Sequence, residues 1–263
     1  ETKLNYGREY IIPKPFDPRL ITMVAPAVAK AAMDSGVATH PILDWNKYEE
    51  ELLDRLGSDN KMVRLLTNRA KSDPKRVVFA EADHLDVLKA AQIVWEEGIG
   101  HPILLGDREV ILELKAEIGF DADVPIYDPK TPEEDKRRFH YADIFWKERR
   151  RKGISLLDAQ KWMRERNYFA AMMVHEGEAD ALVTGYSRSY PSVVKPMLQL
   201  IGKAPGISIV ASTNMMMTNR GPIFFSDTAI NPNPTADDIA KIAIMTANTV
   251  KLFGLEPVMA MVS

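Results

Sequence analysis

Between residues 76 and 127, short apolar runs alternate with longer segments whose apolar positions recur every three or four residues. Residues 76–80 (RVVFA) read as a buried strand and 84–97 as a helix stopped by Gly98. Residues 102–105 read as a strand, 107–118 as a helix stopped by Gly119, and 124–127 as a short strand. Strand–helix units of this length predict a parallel sheet with helices on both faces and right-handed crossovers.

Helices dominate the next stretch. Residues 132–152 read as one long helix ending in Arg149-Arg150-Arg151-Lys152 before Gly153. Ser155 and Asp158 form a capping box for the next helix. Residues 167–176 follow, with Phe169, Ala170, Met172 and Met173 apolar. Residues 181–184 read as a strand, 196–201 as helical, and 207–212 and 222–226 as strands joined through an Asn219-Arg220-Gly221 turn. Thr235 and Asp238 cap a helix to Phe253, with Gly254 as stop, and 258–262 is an apolar strand.

The first part of the chain differs. Residues 10–12 resemble a strand end, and Pro13, Pro15 and Pro18 exclude a helix before Arg19. Residues 20–24 read as a strand or a buried turn, and Pro26 suits the first turn of an Ala-rich helix over 27–34, stopped by Gly36. This is too little to close a core, so the segment must pack on the following domain or on a preceding one. Residues 44–56 read as a helix capped by Asp44, with Tyr48, Leu52, Leu53 and Leu56 on one face and Gly57 as stop. Residues 61–71 read as a basic amphipathic helix, and Asp73-Pro74 breaks the chain. The expected division is 1–43, a helical linker at 44–74, and a main domain at 75–263. A loose beginning and an ending on a buried strand suggest a piece of a longer polypeptide.

Composition narrows the classes. A chain of 263 residues with 46% hydrophobic and 27% charged positions has the make-up of a globular protein. With 34 basic and 37 acidic residues the net charge is -3, which gives no general pull toward nucleic acid or a membrane surface. No apolar run reaches the roughly 18 residues needed to span a bilayer. The absence of Cys excludes disulfides and thiolate chemistry and suits a reducing cytoplasm. His40, His84, His101, His140 and His175 include no helical metal pair, so no metal site is expected.

Several motifs resemble known families. YIIPKPFDPR and VAPAVAKAAMDSGVA look like the last part of the nucleotide-binding domain of bacterial malic enzymes. From Arg76 onward, RVVFAEADHLDVLKAAQIVWEEGIGHPILLG, NYFAAMMVHEGEADALVTG, APGISIVAS, INPNPTADDIAKIAI and FGLEPVMAMVS resemble phosphate acetyltransferases. The two signatures together resemble the long, multidomain NADP-dependent malic enzymes. The resemblance implies an α/β, three-layer parallel-sheet fold like that of phosphate acetyltransferases and isocitrate dehydrogenases, truncated at its C-terminus. It implies a homo-oligomer through this domain, the malic enzyme domain in cis, and acetyl-CoA or a related acyl or phosphate ligand. It implies NADP and a divalent metal, Mg or Mn, in the parent, with no cofactor in this piece.

Thr184, Gly185, Tyr186, Ser187, Arg188 and Ser189 form the turn between a strand and a helix, where backbone N–H groups and hydroxyls face an anion. Arg188 and Lys195 add positive charge. True acetyltransferases carry a His where Arg188 stands and an Arg where Lys195 stands, and Lys cannot grip a phosphate bidentately. Their late Asp-Leu-Ser-Arg-Gly motif has no counterpart by Ser263. No catalytic residue is therefore assigned. Asp227, Asn231 and Asn233 join Thr184–Ser189 and Lys195 as candidate effector contacts, while Pro232 and Pro234 read as turn residues. Residues 149–152 read as a solvated helix end or a landing place for the phosphates of CoA. Met215-Met216-Met217 reads as packing or interface, His84 as a surface residue, and Glu81 and Asp83 as strand-end carboxylates without a nameable partner.

The leading expectation is a regulatory, acetyl-CoA-binding, dimerising domain of an enzyme that oxidatively decarboxylates L-malate to pyruvate with NADP. The alternatives are an active phosphate acetyltransferase and an assembly module.

Overall fold

The computed structural model describes residues 19–55, 58–218 and 221–261. Its helices are α1 (Arg19–Asp34), α2 (Trp45–Asp54), α3 (Ser58–Ser72), α4 (Leu85–Glu96), α5 (Arg108–Ile118), α6 (Asp135–Arg149), α7 (Leu156–Trp162), α8 (Arg166–His175), α9 (Tyr190–Leu200) and α10 (Ala236–Leu252). Its strands are β1 (Lys75–Phe79), β2 (Gly100–Leu105), β3 (Ile126–Tyr127), β4 (Ala181–Val183), β5 (Thr213–Thr218) and β6 (Gly221–Ser226). The described residues fall into two compact units. One comprises 67–210 and 236–241, and the other the described parts of 1–66, 211–235 and 242–263.

The first unit is built on a parallel sheet in the order β3-β2-β1-β4. Alternation along β1 and β2 sends neighbouring side chains to opposite faces. Val78, Ala80, Ile103 and Leu105 pack with Tyr141, Phe145, Met163, Phe169 and Met172 from α6 to α8. Phe79 and Leu104 pack on the other face with Leu88, Ala91 and Ile111 from α4 and α5. This is the expected three-layer α/β arrangement. Phe145 and Phe169 are fully buried, and Tyr141 meets Phe169 edge-on at 5.2 Å.

Local signals were sound at several ends. Asp107 accepts from the N–H groups of Glu109 and Val110, and Gly119 ends α5 at φ 69°. The Ser155–Asp158 capping box is present. The strands feeding the site, β1 and β4, end at Phe79 and Val183, so residues 80–84 and 184–189 leave the sheet side by side.

The second unit contains α1, α2 and the antiparallel hairpin β5–β6, with Phe224 against Phe253 at 5.3 Å. Asp44 caps α2 by accepting from the Lys47 N–H. No helix of the described residues is long and apolar enough to cross a membrane.

Five local expectations are corrected. Residues 20–24 are helical, because Leu, Met and Ala flanks carry α1 through Pro26 despite its missing N–H. The 132–152 helix has short 3-10 turns at 132–134 and 150–152 around α6. Helix α9 begins at Tyr190, with Pro191 in its first turn, where a proline needs no N–H partner. Residues 207–212 form no strand; pairing starts at Thr213, because the Ser212 N–H donates to the Asp227 side chain rather than to a neighbouring strand. Residues 258–261 form no strand either: Val258, Met259 and Met261 are exposed, and apolar character cannot replace a ladder partner. The expectations for residues 10–18, Leu56, Gly57, Asn219, Arg220 and Val262 lie outside the described residues.

Candidate functional site

The strongest polar cluster lies where β1 and β4 end. Glu81 is 1% exposed. Its Oε1 accepts from the backbone N–H of Gly185 at 2.7 Å and of Tyr186 at 2.9 Å. Its Oε2 accepts from the Ser187 N–H at 2.8 Å and from the Ser187 hydroxyl. Burial pushes the Glu81 carboxyl up, but the Ser187 hydroxyl and the three backbone donors outweigh it and hold the pKa at about 2. The N–H groups expected to face a ligand anion are therefore occupied by a carboxylate of the chain itself. Gly185 sits at φ 103°, a conformation that a side chain would strain.

Other groups pin the same loop. The Thr184 hydroxyl donates to Asn167 Oδ1 at 2.7 Å, and Asn167 Nδ2 donates to the Ser192 carbonyl at 3.4 Å. The Tyr186 ring lies 5.3 Å from the His84 ring, and its hydroxyl donates to Asp86 at 2.6 Å. Ser189 is the N-cap position of α9, and its carbonyl accepts from the Ser192 hydroxyl at 2.7 Å.

Beyond this loop lies a pocket of about 250 Å³, lined by Trp162, Glu165, Asn167, Tyr168, Arg188, Ser192, Lys195 and Pro196. Trp162 and Tyr168 stack with centroids 5.3 Å apart and planes at 24°. The Lys195 ammonium lies 5.5 Å from the Trp162 ring centroid, a cation–π arrangement. Arg188, Lys195 and Glu165 are all exposed, so the pocket sets two cations and one carboxylate beside the Trp162–Tyr168 pair and the Ser192 hydroxyl.

Thr184 to Ser189 and Lys195 are thus brought together. Asp227, Asn231 and Asn233 belong to the other unit. There Asp227 organises its own loop: Oδ1 accepts from the Ser212 N–H at 2.9 Å and hydroxyl at 2.5 Å, and Oδ2 from the Asn231 N–H at 2.8 Å and side-chain amide at 2.5 Å. Burial opposes ionisation, but the Ser212 and Asn231 donors prevail and hold this carboxyl well below the usual range.

The basic run is also explained in part. Arg149 donates to the Leu198 carbonyl at 3.2 Å and to the Gln199 carbonyl, satisfying the end of α9. Arg150 lies over Trp146 at 5.6 Å. Sequence reasoning missed Trp162, Tyr168 and Asn167, which sit on helices whose apolar pattern reads as core. Asp83, left without a partner, forms a two-pronged ion pair with Arg166.

Residues 61–263 match the family model described as phosphate acetyl/butaryl transferase. The chain belongs to that family. It is 38% identical to the NADP-dependent malic enzyme of Salmonella typhimurium, over 99% of this chain and 34% of that protein. It is 38% identical to the phosphate acetyltransferase of Thermoanaerobacterium thermosaccharolyticum, over 77% of this chain and 62% of that protein. A phosphotransacetylase from Streptococcus pyogenes shares the fold with a TM-score of 0.66 and 34% identity, over 75% of this chain and 60% of that one. The chain thus spans about a third of the length of the malic enzymes it matches. The transferase family model begins at residue 61, whereas the malic enzyme matches extend over nearly the whole chain. That pattern fits a phosphotransacetylase-like piece of a malic enzyme, as the motifs implied.

Proposed function

We propose that this chain is the acetyl-CoA-sensing, dimerising part of a malic enzyme that oxidatively decarboxylates L-malate to pyruvate with NADP and a divalent metal, Mg or Mn. The carrying observation is the pocket lined by Arg188, Lys195 and the Trp162–Tyr168 stack, with the Lys195 ammonium over the Trp162 ring. Two exposed cations over an aromatic floor suit a phosphate- and purine-bearing ligand such as acetyl-CoA. A sensing role is favoured over acyl transfer because Arg188 and Lys195 stand where the transferases are expected to carry His and Arg. A guanidinium stays protonated at neutral pH and cannot serve as a general base.

The parent's NADP and metal sites are assigned to the rest of the polypeptide, and the malic enzyme domain in cis is the natural partner of α1. That helix lies in the part of the chain that the transferase model does not cover, and its Met23, Val24 and Val28 are exposed. A cytoplasmic setting accords with the Cys-free composition. Calorimetric titration of the chain with acetyl-CoA, alongside malic activity of the full-length parent with and without acetyl-CoA, tests the reading. Binding with lowered activity supports it; neither effect refutes it.

The second reading, an active phosphate acetyltransferase, draws on the 38% identity to the Thermoanaerobacterium enzyme and on Ser189 at the start of α9. Robust acetylation of CoA from acetyl phosphate by the full-length parent would establish it.

A further inference from the structure

We infer that Glu81 is the positioning residue of the Arg188–Lys195 pocket: its carboxylate locks the 184–187 backbone and so holds Arg188 at the pocket rim. The inference rests on the effector reading of that pocket and adds the group that makes it. Three successive backbone N–H groups, of Gly185, Tyr186 and Ser187, point at one carboxylate. Such a run of convergent N–H groups forms a concavity that favours an anion at its centre. In this chain the anion is built in, just past the end of β1, and it is buried.

The loop has few other means of keeping its shape. Gly185, Tyr186, Ser187, Arg188 and Ser189 are exposed, so apolar packing does not fix them. Other ties on 184–187 are the Thr184 hydroxyl to Asn167, the Tyr186 hydroxyl to Asp86 and the Tyr186 ring against His84, while the Thr184 hydroxyl also reaches Glu81 Oε1 at 3.4 Å. Arg188 follows directly on Ser187, which Glu81 holds by both its N–H and its hydroxyl. Asn167 carries the same constraint onward, since it meets Thr184 on one side and the Ser192 carbonyl in the pocket wall on the other. Glu81 itself does not line the pocket. It acts through Arg188 and touches no ligand.

Glu81→Gln isolates the charge and one acceptor. The amide oxygen can still serve Gly185 and Tyr186, but the amide nitrogen then faces the Ser187 N–H, donor against donor. The experiment measures amide hydrogen exchange of the 184–189 segment and calorimetric acetyl-CoA binding, on the full 263-residue chain, for wild type, E81Q, R188A and the double variant. Exchange in the 184–189 segment should quicken about tenfold or more in E81Q while β1 and α8 stay protected. Acetyl-CoA should bind about tenfold more weakly, the size expected from losing a charged hydrogen-bond centre. R188A should weaken binding and leave the loop protected. The double variant should bind no worse than R188A alone, because Glu81 works only through Arg188.

Unchanged loop exchange in E81Q overturns the inference. So does faster exchange with wild-type affinity, or an additive double variant, either of which marks Glu81 as merely structural. If E81Q does not fold, S187A removes the Ser187 hydroxyl, one of the donors to Glu81, and should shift exchange and affinity in the same direction by less; no shift overturns the inference. If the wild type itself does not take acetyl-CoA, the effector reading fails, and loop exchange alone decides whether Glu81 anchors the backbone.

Discussion

Asp83 and Arg166 lie 83 positions apart and meet as a two-pronged ion pair between the end of β1 and the start of α8. Their side chains are 13% and 16% exposed, so neither charge is well solvated alone. Removing one partner leaves the other buried without compensation. Asp83→Asn should therefore cost about 3 kcal/mol in urea unfolding. Replacing both by apolar residues of similar volume should recover most of that loss. Equal stability of single and double variants would contradict this account.

Acid sensitivity follows from Glu81. Its pKa falls from an ordinary 4.5 to about 2 on folding. The folded state thus binds the proton less readily than the unfolded chain. The stabilisation is fully present above the unfolded value and is lost as pH falls through 4.5 toward about 2. It is worth about 3 kcal/mol at neutral pH. Asp227, also depressed, adds to the same acid limb. Urea midpoints measured across this range should fall steadily in the wild type, and less steeply in E81Q.

Arg188 and Lys195 are exposed, and neither is part of the buried core. Arg188→Ala and Lys195→Met should each change folding stability by no more than about 0.5 kcal/mol. Each should weaken acetyl-CoA binding. Calorimetry paired with thermal melts separates the two effects.

Phe145 is fully buried and touches two aromatic neighbours, Trp162 and Tyr168, at 5.8 Å each. Phe145→Ala should destabilise by about 3–5 kcal/mol. Trp162 and Tyr168 form the aromatic floor of the pocket, so acetyl-CoA affinity should fall as well. A destabilised variant with wild-type affinity would show the floor to be rigid without Phe145.

The exposed face of α1 offers a test of context. Val24→Glu and Val28→Glu alter residues that are 51% and 62% exposed. The chain alone should keep its melting temperature. In the full-length parent the same changes should lower stability, measured by the malic domain's own thermal transition.

Much of the framework was legible because its signals are local. The capping box at Ser155 and Asp158 and the Gly119 stop act within one turn of chain. The alternation of Val78 and Phe79 already divides the two faces of the sheet, since strand geometry permits nothing else. Residues 184–189 stood out as a candidate site because a strand end meets a helix start there. Apolar runs misled where pairing decides: 258–261 (VMAM) is more apolar than β1 (KRVVF) but has no ladder partner among the described residues.

What the sequence determined by itself was the order of elements from residue 75 to 183, the α/β class, and the place of the loop that carries Arg188. Its resemblances also pointed to the family. Only the tertiary structure decided which groups satisfy that loop. Glu81 and Gly185 are 104 positions apart, and their 2.7 Å hydrogen bond exists because β1 and β4 pair in parallel and end together. The physical reason is range: caps and alternation depend on neighbours along the chain, whereas a buried carboxylate takes whichever donors the fold brings within reach.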